Sequence, residues 1–234
     1  MHSIKFIYLK ALLISLITLF VMTSAGVSTT GSSETDLLWK PVTSLYDELH
    51  LDEEGLDKEV FDRAMNGYQK LQPEIMNAVL SIADFSKSSN EKRLYIIDLQ
   101  ARKLIHKTYV AHGRNSGDEY ASVFSDVPES FQSSLGFYLT GEVYEGAHGI
   151  SLRLEGMESG INGNAGNRAI VIHGADYVSE DFIKKYGRLG RSYGCPAVSN
   201  SEAEPIISTV KNGSCFFIHY PDPTYNTVST LVTP

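Results

Sequence analysis

The stretch GRSYGCPAVS, Gly190 to Ser199, carries one of only two cysteines in the 234-residue chain. Glycine precedes Cys195 and proline follows it, so the sulfur sits in a turn that presents its side chain outward. Such a thiol can be half of a disulfide, a metal ligand, a packed core group or a nucleophile. A bridge to Cys215 would close a loop from 195 to 215, yet Cys215 lies in GSCFFIHY, which reads as a buried strand where a thiol is a small hydrophobe. Seven histidines are present, with His112, His148 and His173 able to converge on Cys195. None stands at the C-x-x-C or H-x-x-x-H spacing that zinc sites use, so no metal and no cofactor is expected. A nucleophile needs a base, an oxyanion site and a means of ionising its thiol. AIVIHGA brings His173 to the end of a hydrophobic strand, where its ring can face a cleft. SYGC offers consecutive backbone N–H groups in a glycine-permitted turn, as oxyanion holes require. On residue types alone these readings stay open.

The elements that must position these groups fall into two textures. In GLDKEVFDRAMNGYQKL, Leu56, Val60, Ala64, Tyr68 and Leu71 recur every three or four residues, with Phe61 and Met65 widening the stripe, which predicts a helix with Asp57 as N-cap. Pro73 ends or restarts it, and EIMNAVLSIADF is expected to continue it briefly. From about Lys92, short runs such as RLYIIDL, GFYLTGEVYEG, AIVIHGA and CFFIHYP are rich in β-branched and aromatic residues and separated by Gly, Asn, Ser and Asp. Between them only Ser179 to Tyr186 and Ser201 to Lys211 suit helices. The expected fold is mainly β, a sandwich or barrel with a few short helices and a helical lead-in.

Bulk properties narrow the class. A net charge of −8 argues against nucleic acid, whose binders carry a basic face. Lys5 and Lys10 precede the apolar ALLISLITLFVM, and Thr23 to Ala25 supply small residues for cleavage, the pattern of an export signal. The apolar run is short for a membrane span, so no stable anchor is expected after cleavage, and loss of two lysines and no acids takes the charge from −8 to −10. The expected organisation is a signal peptide at 1–25, a linker at 26–36, a helical segment at 37–83, a catalytic domain at 84–222 and a C-terminal tail at 223–234.

AIVIHGADYVSEDFIKKYGRLGRSYGCPAVS resembles the active-site segment of the murein L,D-transpeptidase catalytic-domain family, whose signature is a histidine, a spacer, then Ser/Thr-His-Gly-Cys. The resemblance extends over ADFSKSSNEKRLYIIDL, YVAHGRNSG and SSLGFYLTGEVYEGAHGISLRLEG, from about Leu56 to Tyr220. It implies an L,D-transpeptidase-like fold, exported to the periplasm or cell-wall space of a bacterium, with peptidoglycan stem peptides as partners. It further implies Cys195 as nucleophile, His173 as general base and then acid, and the Gly174 carbonyl as the group orienting the imidazole. The implied cycle acylates Cys195 on a tetrapeptide stem, releases D-alanine and passes the stem to an amine, with the thiol ionised by an adjacent imidazolium. Backbone N–H groups of Tyr193, Gly194 and Cys195 are the oxyanion candidates. Tyr193 stands where the family has histidine, and Pro196 and Ala197 stand where many relatives carry Asn or Arg, so carboxylate capture falls elsewhere. Among Arg114, Arg153, Arg168, Arg188 and Arg191, Arg191 is nearest in sequence to the cysteine; Ser192, His112 and Ser116 are the further substrate-binding candidates, and His148 reads as structural. Two alternatives accompany this reading: an L,D-carboxypeptidase or endopeptidase that gives the acyl group to water, and a non-catalytic wall-binding module with a Cys195–Cys215 bridge.

Overall fold

A computed structural model describes residues 42–233; the expected signal peptide, the linker and the first residues of the helical segment lie outside the described residues. Two helices lead in, α1 (Val42–Glu48) and α2 (Lys58–Lys70). Asp57 caps α2, its side chain accepting from the Glu59 amide at 2.7 Å. The apolar stripe of α2 buries Val60, Phe61, Ala64 and Met65. Gly67 lies on that face because a Cβ there would stand 2.0 Å from Phe137 Cζ. Mid-helix glycine costs about 1 kcal/mol against alanine, and here it lets the helix settle onto the sheet.

EIMNAVLSIADF does not continue the helix. Pro73 begins a single 3₁₀ turn, Gln72–Glu74, and the chain then enters strand β1 (Val79–Asp84), every residue of which is buried. A strand covered on both faces reads as an unbroken apolar run, which periodicity cannot tell from a buried helix. The division expected between residues 83 and 84 therefore falls inside a sheet strand.

Seven more strands follow: β2 (Leu94–Asp98), β3 (Lys103–Thr108), β4 (Gly136–Gly146), β5 (Gly149–Gly156), β6 (Val171–Gly174), β7 (Ala197–Val198) and β8 (Cys215–His219). They form one sheet in the order β3-β2-β1-β8-β4-β5-β6-β7. Pairing is antiparallel except for β1 with β8 and β6 with β7. The sheet nearly closes: beyond β3 the chain reaches Ala111, whose amide donates to the Ala197 carbonyl on β7 at 2.8 Å, and Gly113 bridges Ser192. Helices α3 (Glu180–Tyr186) and α4 (Asn200–Val210) occupy the two stretches that the sequence allots to helix. The last helix, α5 (Pro223–Val228), is packed rather than trailing. Tyr225, Ser229 and Val232 are buried, and the buried Glu158 carboxylate accepts from the Phe137 amide at 2.8 Å, the Tyr225 hydroxyl at 3.1 Å and the Ser229 hydroxyl. Among the described residues no helix is long and apolar enough to cross a membrane.

Candidate active site

The seam where the sheet nearly closes carries the chemistry. His173 sits on β6 and pairs in register with Ala197 of β7, two residues past Cys195. Both side chains line one cavity of about 1100 Å³, room for several peptide residues. Arg114, Arg168, Arg188 and Arg191 line it too, and among the described residues no Asp or Glu does.

His173 is buried, and its Nδ1 lies 2.8 Å from the Gly174 carbonyl. A carbonyl can only accept, so Nδ1 carries the proton and Nε2 keeps its lone pair for a substrate or a thiol. Burial lowers the pKa of this imidazole; the Gly174 hydrogen bond opposes that shift and the neighbouring His148 adds to it. His148, expected to be structural, stands exposed in the β4–β5 turn, lines the cavity and stacks on the His173 ring with centroids 4.6 Å apart and planes at 25°.

Cys195 is half-buried, with Sγ 3.8 Å from the Ala169 carbonyl. Burial pushes its thiol up, while the Val171 amide, the Arg168 charge and its own amide pull it down by less. Thiol up and imidazole down both favour the neutral forms. Desolvation outweighs the groups that favour charge, which runs against the expected thiolate–imidazolium pair. Cys215 is fully buried on β8, and both thiols are free, so the expected alternative of a Cys195–Cys215 bridge is not formed.

The turn around Cys195 is braced from within. Ser192 Oγ accepts from the Gly194 amide at 3.0 Å and donates to the Cys195 carbonyl at 2.6 Å. Gly194 has φ +124°, and a Cβ there would lie 2.8 Å from the Gln132 carbonyl oxygen. Its amide, an expected oxyanion donor, is engaged by the Ser192 hydroxyl. The Tyr193 amide has no acceptor among the described residues, and the Cys195 amide faces only its own sulfur. Ser192, expected to bind substrate, lines the cavity but is only 5% exposed, its hydroxyl engaged within the turn.

His112 and Ser116 are fully buried and do not reach the cavity, contrary to expectation. The cause is the seam: the Ala111–Ala197 bridge places the next residues beneath the cysteine turn rather than beside it. The His112 carbonyl accepts from the Ser192 amide at 3.0 Å, and its Nδ1 accepts from Arg93 Nη2 at 2.8 Å. Ser116 Oγ accepts from the Ser133 amide, and Ser133 Oγ accepts from Gly113 and donates to the Gly194 carbonyl at 3.0 Å. Arg191 does line the cavity, but Asp118 already holds its Nη1 at 2.6 Å. Among the described residues no group of three or more His, Cys, Asp or Glu could hold a metal ion.

Residues 52–219 match the L,D-transpeptidase catalytic domain family, and the chain belongs to it. Solved structures similar to it include an L,D-transpeptidase from Mycobacterium smegmatis, at 13% identity over 61% of this chain and 59% of that one, with a TM-score of 0.38. Another is from Stackebrandtia nassauensis, at 13% identity over 71% and 69% with a TM-score of 0.37, and a third from Xylanimonas cellulosilytica, at 11% over 61% and 61% with 0.38. The chain thus spans about three fifths of the first of these relatives. No curated protein matches it.

Proposed function

We propose that the protein is an exported cysteine L,D-transpeptidase that cross-links or remodels peptidoglycan. One observation carries this reading: a free, half-buried Cys195 and an imidazole fixed with Nε2 open share a cavity with no carboxylate in its lining. His173 Nε2 takes the thiol proton as Sγ attacks the diaminopimelate carbonyl of a tetrapeptide stem. The developing oxyanion faces the Tyr193 and Cys195 amides, each donor worth about 3 kcal/mol. The imidazolium then returns the proton to the D-alanine nitrogen as the C–N bond breaks, leaving a thioester on Cys195. An amine of a neighbouring stem attacks that thioester, His173 removes the amine's proton and returns it to the departing sulfur. The acyl bond is conserved throughout, so no nucleotide is consumed in the cell-wall space.

Purified muropeptides incubated with the protein and its Cys195→Ala variant test this by mass spectrometry. The parent is expected to release D-alanine and form stem dimers, and the variant neither. D-alanine release without dimers identifies water as the acceptor, the L,D-carboxypeptidase outcome. Release by the variant at the parental rate overturns the assignment.

A further inference from the structure

Four arginines line the cavity, and three are engaged. Arg191 is held by Asp118. Arg188 donates to the Leu189 carbonyl at 2.7 Å and lies 3.9 Å from Asp118. Arg168, its side chain 3% exposed, donates to the Ser125 carbonyl at 2.8 Å and faces Asp126 at 3.6 Å. Arg114 differs: its guanidinium makes no hydrogen bond or ion pair with any described residue. It lies instead over two rings, 5.0 Å from the centroid of Phe131 and 5.4 Å from that of Tyr193, and those rings pack 4.7 Å apart.

Stacking on an aromatic face orients a guanidinium yet consumes none of its five N–H donors. A planar fork held this way, with its edge free, matches a carboxylate through two parallel hydrogen bonds. The backbone ties the fork to the reacting sulfur, since the Arg114 amide donates to the Ser192 carbonyl at 2.8 Å, three residues before Cys195. The platform itself is maintained at a cost. Phe131 has φ +54°, a left-handed conformation that bulky residues rarely adopt. Tyr193 keeps a large ring 65% exposed where the family signature has histidine.

We propose that Arg114, laid flat on Phe131 and Tyr193, is a carboxylate-binding site beside Cys195 that takes a free carboxylate of the donor stem. The assignment to a stem rests on the transpeptidase reading; the carboxylate site itself does not. It gives Tyr193 a task of its own, that of a platform rather than a proton carrier. A tetrapeptide stem offers three such groups, the D-alanine terminus, the second carboxylate of diaminopimelate and the α-carboxylate of the γ-linked D-glutamate.

Alkylation of Cys195 by iodoacetate, an anion, and by neutral iodoacetamide tests the site without any stem, and the fully buried Cys215 stays out of the readout. The iodoacetate-to-iodoacetamide rate ratio is expected to fall about tenfold in Arg114→Gln, as for loss of one charge-assisted pair. Arg114→Lys should fall between the two, and Arg102→Gln, whose arginine pairs with Glu48 away from the cavity, should match the parent. An unchanged iodoacetamide rate in Arg114→Gln reports an intact fold. An unchanged ratio in that variant overturns the proposal. Stems amidated at each of these carboxylates in turn then locate the contact: one amidation should raise KM for the parent about tenfold and leave Arg114→Gln unaffected. A parent indifferent to all three amidations overturns the stem assignment. A protein that turns over no stem yet shows the fallen ratio keeps the carboxylate site and loses the transpeptidase reading.

Discussion

Two cavities of this protein carry opposite charge. Among the described residues, the one over the seam has four arginines and two imidazoles in its lining and no carboxylate. The other, of about 630 Å³, lies against β4, β5 and α4 and carries Glu74, Glu142, Glu155 and Glu204 against a single Lys211, with Met76 82% exposed at its edge. In a chain of net charge −8 an acidic lining is the unremarked default, whereas a cationic one has to be assembled. The assembly is visible residue by residue. Asp118 and Asp126 hold Arg191 and Arg168 in place from outside the lining, and a strained Phe131 supports Arg114. Local charge opposed to the global charge, next to a free thiol and an oriented imidazole, is what supports the proposal of an anionic substrate here.

The comparison breaks most readily at His173. His173→Gln is expected to slow D-alanine release by roughly 10³-fold, the usual contribution of a general base; retention of the parental rate would leave the cationic cavity without its chemistry. Arg168→Met comes next. It removes a buried cation and leaves Asp126 unpaired, for a loss of about 3–5 kcal/mol in chemical denaturation. A loss under 1 kcal/mol would mean the cationic wall is not built into the fold.

Acid sharpens the picture further. His112, beneath the cysteine turn, has its pKa lowered to about 3 by burial and then by the Arg93 charge. The unfolded chain therefore binds a proton there that the folded chain refuses once pH falls below the ordinary value near 6.5. Stability is expected to drop between about pH 6.5 and 3 by up to about 1.4 kcal/mol per pH unit from this residue. His112→Gln should flatten that slope, and an unchanged slope would place the acid sensitivity elsewhere. Smallest of all, Glu142→Gln and Glu204→Gln in the acidic cavity should alter D-alanine release by less than twofold. A slowing of about tenfold or more would erase the distinction between the cavities.

Much of this was legible in the sequence because it depends on local pattern. The short aromatic and β-branched runs become six of the eight strands, all but β1 and β7, and Asp57 does cap α2. His173 at a strand end and Cys195 in a glycine turn do meet in one cavity. The misses arise where closure of the sheet decides. AHG at 111–113 and AHG at 147–149 are identical as text, yet the first is pinned beneath the seam and the second projects from a hairpin turn over His173. The glycines at 146 and 149, set between two strand patterns, were the available signal for that turn. The engaged amide of Gly194 follows from a side chain two residues earlier competing for it, and the engagement of Arg191 from Asp118, 73 positions away. VLSIAD misleads because a strand buried on both faces has no alternation to read.

Intact-protein mass spectrometry after brief exposure to a tetrapeptide stem, followed by peptide mapping, bears most directly on acyl transfer through Cys195. The expected adduct has the mass of the stem less D-alanine, sits on Cys195 and disappears on addition of an amine acceptor. D-alanine released with no adduct at any time, or an adduct on a residue other than Cys195, contradicts it.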